Sequence, residues 1–213
     1  ASLFPLLSRY EREPEEKSAR AFHLGLKLTL IPALALAIAT TVLAPGVIHL
    51  LYSQEYRAAI EPLLILMWSQ AFLILVFFFA NVLTSMKRQR AIFHAAVIML
   101  VTNIVGNWLA IPAHGASGAA ATKLLSAFCG FAVLIVPISK SFSFPIHELL
   151  PKLATLGGLF AAVIVLTNQV SFALAVIAAI VVFPPLTWIS GIFSAEERNL
   201  LRALFPSPSL RGR

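Results

Sequence analysis

Apolar residues run along this chain in blocks too long for the helices of a water-soluble domain. Six blocks can be drawn, at residues 24–51, 60–85, 92–111, 117–138, 150–167 and 172–193. A helix needs about 20 apolar residues to cross about 30 Å of hydrocarbon, and the six blocks lie near or above that length. Polar residues collect between the blocks rather than recurring every third or fourth position within them. That pattern predicts helices apolar on all sides, and so an all-α polytopic membrane protein with about six transmembrane helices. Three regions follow. Residues 1–23 read as the end of a preceding helix plus a cytoplasmic connector. Residues 24–193 form a six-helix bundle, and residues 194–213 a cytoplasmic tail. That tail contains "FPSPSLRGR", a stretch rich in Pro, Ser and Arg, and is expected to be disordered.

Charge placement orients the blocks. Arg9, Arg12, Lys17, Arg20 and Lys27 precede or open the first block, and Lys87, Arg88 and Arg90 separate the second from the third. Lys140 and Lys152 lie between the fourth and fifth, and Arg198, Arg202, Arg211 and Arg213 follow the sixth. The intervening connections carry only Arg57, so alternate loops hold fourteen basic residues against one. Cytoplasmic loops collect Lys and Arg, which puts both ends of this segment in the cytoplasm. The alternation also supports the count of six, because one missed crossing would break it.

Composition agrees: 59% of the 213 residues are hydrophobic and 12% charged, against about 45–50% and about 25% in soluble domains. The net charge of +7 contains no Asp, only Glu. In a soluble protein it would suggest nucleic acid, but the loop positions of the basic residues account for it, and no nucleic-acid partner is expected. Cys129 is the lone cysteine, which excludes an internal disulfide and reads as a small core residue. His23, His49, His94, His114 and His147 show no metal-ligand spacing on one helix, so neither a metal nor a cofactor is expected. The stretch Tyr10–Arg20, "YEREPEEKSAR", mixes charges and reads as a solvated connector. The chain opens on Ala1 with "SLFPLLSR", which has the look of a helix end, so it is expected to be part of a longer protein.

Few polar residues fall within the blocks. Lys123 stands two turns into the fourth, where an ionised side chain costs about 2.5–3.5 kcal/mol on insertion scales. Ala116, Ala119, Ala120, Ser126, Ala127 and Gly130 share its helical face, and all are small. Leu124, Leu125, Phe128, Phe131 and Ile135 occupy the other side. Small residues favour helix contacts or cavities, so Lys123 is expected to face the bundle or a cavity rather than lipid. It then either snorkels to the interface, contacts an anionic substrate, or makes a structural pair. Asn103 and Asn107, one turn apart, suit either hydrogen bonds between helices or a cavity wall. Gln70 and Ser126 complete the candidate cavity residues. Pro32, Pro45 and the Pro184-Pro185 pair fall inside blocks, where proline removes a backbone bond, and Pro184 and Pro185 are hinge candidates.

"GASG" at Gly115–Gly118 resembles the serine motif of rhomboid intramembrane proteases, which share a six-helix core. That family places its base, a histidine, on the sixth helix, and the sixth block here has none. A serine without a base is not a nucleophile. Ser117 and Lys123 lie about 240° apart around a helix, so they make a poor dyad. The family's Trp-Arg loop motif is also missing. The four residues read instead as a tight turn into a closely packed helix start.

A second resemblance covers residues 3–130. "TNIVGNWLAIPAHGASGAAATKLLS" is similar to the second half of lipid-linked polysaccharide flippases of the O-antigen type. These belong to the multidrug/oligosaccharidyl-lipid/polysaccharide exporter superfamily. Asn103, Asn107, Ile111-Pro112, Gly115 and Gly118-Ala119-Ala120 carry the likeness. So do "LFPLLSR" (Leu3–Arg9) and "IHLLYSQEYRAAIEPLLIL" (Ile48–Leu66), although Ser53 stands where the family usually has Gly. The last two blocks match only in hydropathy and order. The resemblance implies a two-bundle exporter of 12–14 helices, with this chain supplying most of the second bundle. It implies alternating access that moves an undecaprenyl-diphosphate-linked glycan to the outer leaflet of the bacterial inner membrane, for polysaccharide biosynthesis and export. The implied partners are that lipid-linked glycan, membrane lipids and the N-terminal half of the transporter. Lys123 would meet the diphosphate or acidic sugars. A drug or cation antiporter of the same superfamily is the nearer alternative. Antiporters place acids within membrane helices, and none of the nine Glu lies well inside a block.

Overall fold

In a computed structural model the described residues are 15–52, 54–143, 146–194 and 197–198. They form helices α1 (Glu15–Leu51), α2 (Ile60–Ser85), α3 (Gln89–Ser139), α4 (Ile146–Val170) and α5 (Phe172–Ile189), with a 3-10 turn at Gln54–Ala59. Each of the five helices holds a segment long and apolar enough to span a membrane. The fold is that of an all-helical polytopic membrane protein.

Five helices nevertheless make six crossings. α3 has 51 residues, which as a straight rod would measure about 76 Å, more than twice a bilayer core. At Gly115 the backbone turns to φ 55°, ψ −129°, far from helical values, in a region that side chains with a Cβ rarely enter. The chain folds back there. Gly118 packs on the carbonyl of Ala110, Gly106 on Thr122, and Gly130 on Met99. Ser126 Oγ donates to the Met99 carbonyl at 2.8 Å. These pairs run in opposite directions along the sequence, so residues 89–114 and 116–139 are two antiparallel arms of one hairpin. Small residues at the contacts let the arms approach closely, the usual basis of helix association where lipid offers no hydrophobic drive.

The other helices alternate in direction as well. Trp68 Nε1 reaches Thr41 Oγ1 at 3.3 Å and Phe22 packs near Phe78 and Phe79, so α2 runs back along α1. Leu24 and Ile31 pack with Leu156, and Leu43 with Ile164, so α4 runs parallel to α1. Gly46 meets Phe172, which brings α5 back down. One end of the bundle, here the tip, therefore holds the 54–59 turn, the α3 reversal and the α4–α5 turn. The opposite end, the base, holds the α2–α3 and α3–α4 connections. At the base Phe22 and Phe142 stack with centroids 4.3 Å apart and planes 9° apart, and His23 Nε2 lies 2.7 Å from the Ser143 carbonyl oxygen.

Two boundaries differ from the sequence reading. α1 starts at Glu15 and so takes in the second half of the expected connector; residues 1–14 lie outside the described residues. The sixth block was expected to run to Phe193, but α5 stops at Ile189 and the chain turns through Gly191 at φ 65°. Ile192 and Phe193 then fold back into the core beside Leu24, Ile31 and Leu156. Their hydrophobicity serves packing rather than helix length. Beyond them, Glu197 is buried and pairs with Lys27 at 2.8 Å. Residues 195–196 and 199–213 of the expected tail lie outside the described residues.

Candidate functional site

Two polar regions interrupt this apolar bundle. The first lies partway along the helices. Ser117 and Phe128 of α3 contact Glu61 and Phe72 of α2, so Ser69 and Gln70 fall at the level of residues 125 and 126. The Gly106–Thr122 and Met99–Ser126 contacts put Asn103 and Asn107 at the level of Thr122–Ser126. The structure thus gathers Gln70, Asn103, Asn107, Lys123 and Ser126 into one stratum, on three adjacent helical segments.

Their surroundings differ. Lys123 is eight residues from the reversal at Gly115, about 12 Å along the arm. Ala120, Ser126, Ala127 and Gly130, which share its sector, are buried, yet Lys123 is exposed. A four-carbon stem can carry an ammonium past neighbours that have little or no side chain. Lys123 makes no hydrogen bond or ion pair with a described residue. Gln70 is likewise exposed. Asn107 Nδ2 donates to Asn103 Oδ1 at 3.0 Å, so the two amides bond along their own arm and not across to another helix. This corrects the interhelical reading, and it leaves Asn107 Oδ1 buried without a partner. Ser126 needs a second correction: it is buried with its hydrogen held by Met99, so it fastens the hairpin rather than presenting a free donor. Ser69 is fully buried with an unpartnered hydroxyl, and sequence reasoning missed it. No helical pattern distinguishes it, because a lone serine in an apolar block is common.

Pro184 and Pro185 lie within α5, exposed, and the helix continues through them. Neither proline can donate to the preceding turn. Thr187 Oγ1 bonds the Pro184 carbonyl at 2.7 Å and Ser190 Oγ the Thr187 carbonyl at 2.8 Å, back-bonds of a kind that bends helices.

The second region is a cleft of about 550 Å³ at the tip, lined by Arg57, Glu61, His114 and Ser117 among apolar residues. Ser117 Oγ donates to Glu61 Oε2 at 2.9 Å. The serine of "GASG" is therefore tied to a carboxylate on α2. That contact could not be read from sequence, since it joins positions 56 apart. Among the described residues no three His, Cys, Asp or Glu side chains are placed to hold a metal ion.

Six crossings and a hairpin helix broken at glycine define a polytopic membrane bundle with a polar stratum partway along it. The chain belongs to a family of flippases for lipid-linked precursors: the family model described as "Lipid II flippase MurJ" matches residues 1–194. These are transporters and not enzymes, which disposes of the protease alternative. The match does not extend to the O-antigen branch that the sequence resembles. A solved structure described as "Lipid II flippase MurJ, inward closed conformation" superposes with a TM-score of 0.71 at 19% identity. It is matched over 94% of this chain and 42% of its own length, so the chain spans less than half of that relative. Among curated proteins none matches the chain.

Proposed function

We propose that this chain forms one bundle of a flippase that carries a lipid-linked glycan, held through a diphosphate, from the cytoplasmic to the outer leaflet by alternating access. The family match over residues 1–194 carries this reading. On it, the preceding bundle of the same transporter completes a central cavity, and the exposed Lys123 faces that cavity as a cationic contact for diphosphate or acidic sugar. Gln70, Asn103 and Asn107 offer amides that both donate and accept, which suits sugar hydroxyls. Pro184 and Pro185 would let α5 flex during rocking. The glycan is either the lipid II headgroup of the matched family or an oligosaccharide of the O-antigen kind.

Orientation is supported by charge. Arg20, Lys87, Arg88, Arg90 and Lys140 cluster at the base, whereas the tip carries Arg57. On the positive-inside rule the base, and with it both ends of this segment, lies on the cytoplasmic side of a bacterial inner membrane, and the tip faces outward.

The test is reconstitution. Full-length transporter in liposomes is expected to expose a lipid-linked glycan headgroup at the outer leaflet, read by enzymatic labelling from outside. The 213 residues alone are expected to give only background, because one bundle cannot enclose a cavity that two must line. Headgroup exposure by the 213 residues alone would sink the two-bundle reading. No exposure by the full-length protein with either glycan class would sink the flippase reading.

A further inference from the structure

The cleft at the tip lies apart from the stratum around Lys123, and its charges are arranged unusually. Arg57 and Glu61 stand four residues apart, the spacing at which opposite charges on a helix commonly pair. They do not pair here. Glu61 accepts from Ser117 across the α2–α3 contact, and Arg57 makes no hydrogen bond or ion pair with a described residue. The two charges sit on the wall of one cleft of about 550 Å³, within the range of pockets that hold small ligands.

Each part of the wall selects a chemistry. A guanidinium presents a planar fork of donors that fits carboxylate or phosphate through two parallel hydrogen bonds. Glu61, held in place by Ser117, keeps its second oxygen available as an acceptor for hydroxyl groups. His114, from the α3 reversal, can donate or accept. Ile60, Pro62, Leu64 and Ala116 supply apolar wall between these polar groups. An anionic group on a hydroxyl-bearing ring satisfies all of them; a bare inorganic ion would leave Glu61 facing it.

We propose that the Arg57–Glu61–His114–Ser117 cleft is a binding site for an anionic sugar, with Arg57 taking its carboxylate or phosphate and Glu61 its hydroxyls. The site rests on the flippase reading only for its role: at the outward end of the bundle, it is where a headgroup would lodge after crossing.

Binding of soluble sugars to the full-length transporter in nanodiscs tests it, with glucuronate, glucose 6-phosphate and glucose as probes in isothermal titration. At least one anionic sugar is expected to bind at least tenfold more tightly than glucose. Preference for glucuronate identifies a carboxylate as the natural group, and preference for glucose 6-phosphate a phosphate. Arg57→Ala is expected to cost at least tenfold for the anionic probe, and Arg57→Lys to recover part of it, with unfolding midpoints unchanged in both. Equal binding of glucose and the anionic sugars, binding unaffected by Arg57→Ala, or no binding of any probe overturns the site. Flipping is measured on the same preparations. Arg57-dependent binding without wild-type flipping overturns the flippase reading and upholds the site; flipping without such binding does the reverse.

Discussion

Gly118→Leu is expected to remove the folded protein almost entirely, at a cost above about 3 kcal/mol, beyond the usual range for overpacking a core. The reason is the nature of the atom that a side chain would strike. At Gly25, Gly46, Gly106 and Gly130 the nearest atoms belong to the side chains of Phe78, Phe172, Thr122 and Met99, which can rotate or shift. At Gly118 they belong to the backbone carbonyl of Ala110, which cannot move without opening the α3 hairpin. Opening it would unseat Ser126 from the Met99 carbonyl and part the two arms. Gly158→Ala is the matched control, since nothing lies within 4 Å of a Cβ there. Alanine in place of a helical glycine should raise stability by about 0.5–1 kcal/mol. Fluorescence-detected size exclusion after graded heating reads both variants. A Gly118→Leu protein that melts with the wild type would mean that the arms are not packed as described.

Lys27→Met is expected to destabilise the bundle by about 3–5 kcal/mol, the usual cost of leaving one partner of a buried ion pair uncompensated. Lys27 Nζ lies 2.9 and 2.8 Å from the two oxygens of Glu197, and the two side chains are only 14% and 10% exposed. Glu197 Oε2 also accepts from the Ser194 amide at 2.7 Å, and Ser194 Oγ from the Glu197 amide at 3.2 Å. This reciprocal pairing is a capping box, so one carboxylate both caps the turn after α5 and docks it on α1. The double variant Lys27→Met/Glu197→Met should regain much of the loss, because replacing both charges by apolar groups removes the buried unpaired one. What it does not regain is the cap, worth about 1 kcal/mol. Unfolding midpoints of the two single variants and the double variant form the cycle that checks this. Strict additivity would show that the charges do not act as a pair.

Much of this fold was legible because a bilayer leaves few choices. Long apolar blocks must be helices, and basic residues mark one side, so six crossings follow from hydropathy and charge alone. The turn at Gly115 was legible too, since "GASG" reads as close backbone approach. What stayed hidden depended on distance in sequence. Nothing in the spacing of Ser117 or Glu61 announces that they bond, and nothing marks Glu197 as the partner of Lys27, 170 positions away. Asn103 and Asn107 were correctly placed on one face, but whether an amide bonds along its helix or across to another is decided by rotamers. Ile192 and Phe193 looked like the end of a membrane span because hydropathy cannot tell a helix from a turn that folds back onto the core.

The branch of the superfamily was also beyond the soft motifs of Gly, Pro and Ala. Their order is shared across the exporters that the sequence resembles, while the match over residues 1–194 places the chain in the lipid II flippase family. On the proposed function the glycan is read by side chains lining the cavity, and Lys123 is an exposed cation at the level of the polar stratum.

Flipping by the full-length transporter with Lys123→Glu and Lys123→Arg, set beside the wild type in the same liposomes, tests that claim most directly. The arginine variant should retain at least about a third of the wild-type rate, because it keeps the charge. The glutamate variant should fall at least tenfold, because it sets a like charge against the diphosphate. Equal rates for the two variants would contradict the account and return Lys123 to a lysine that merely reaches for the interface.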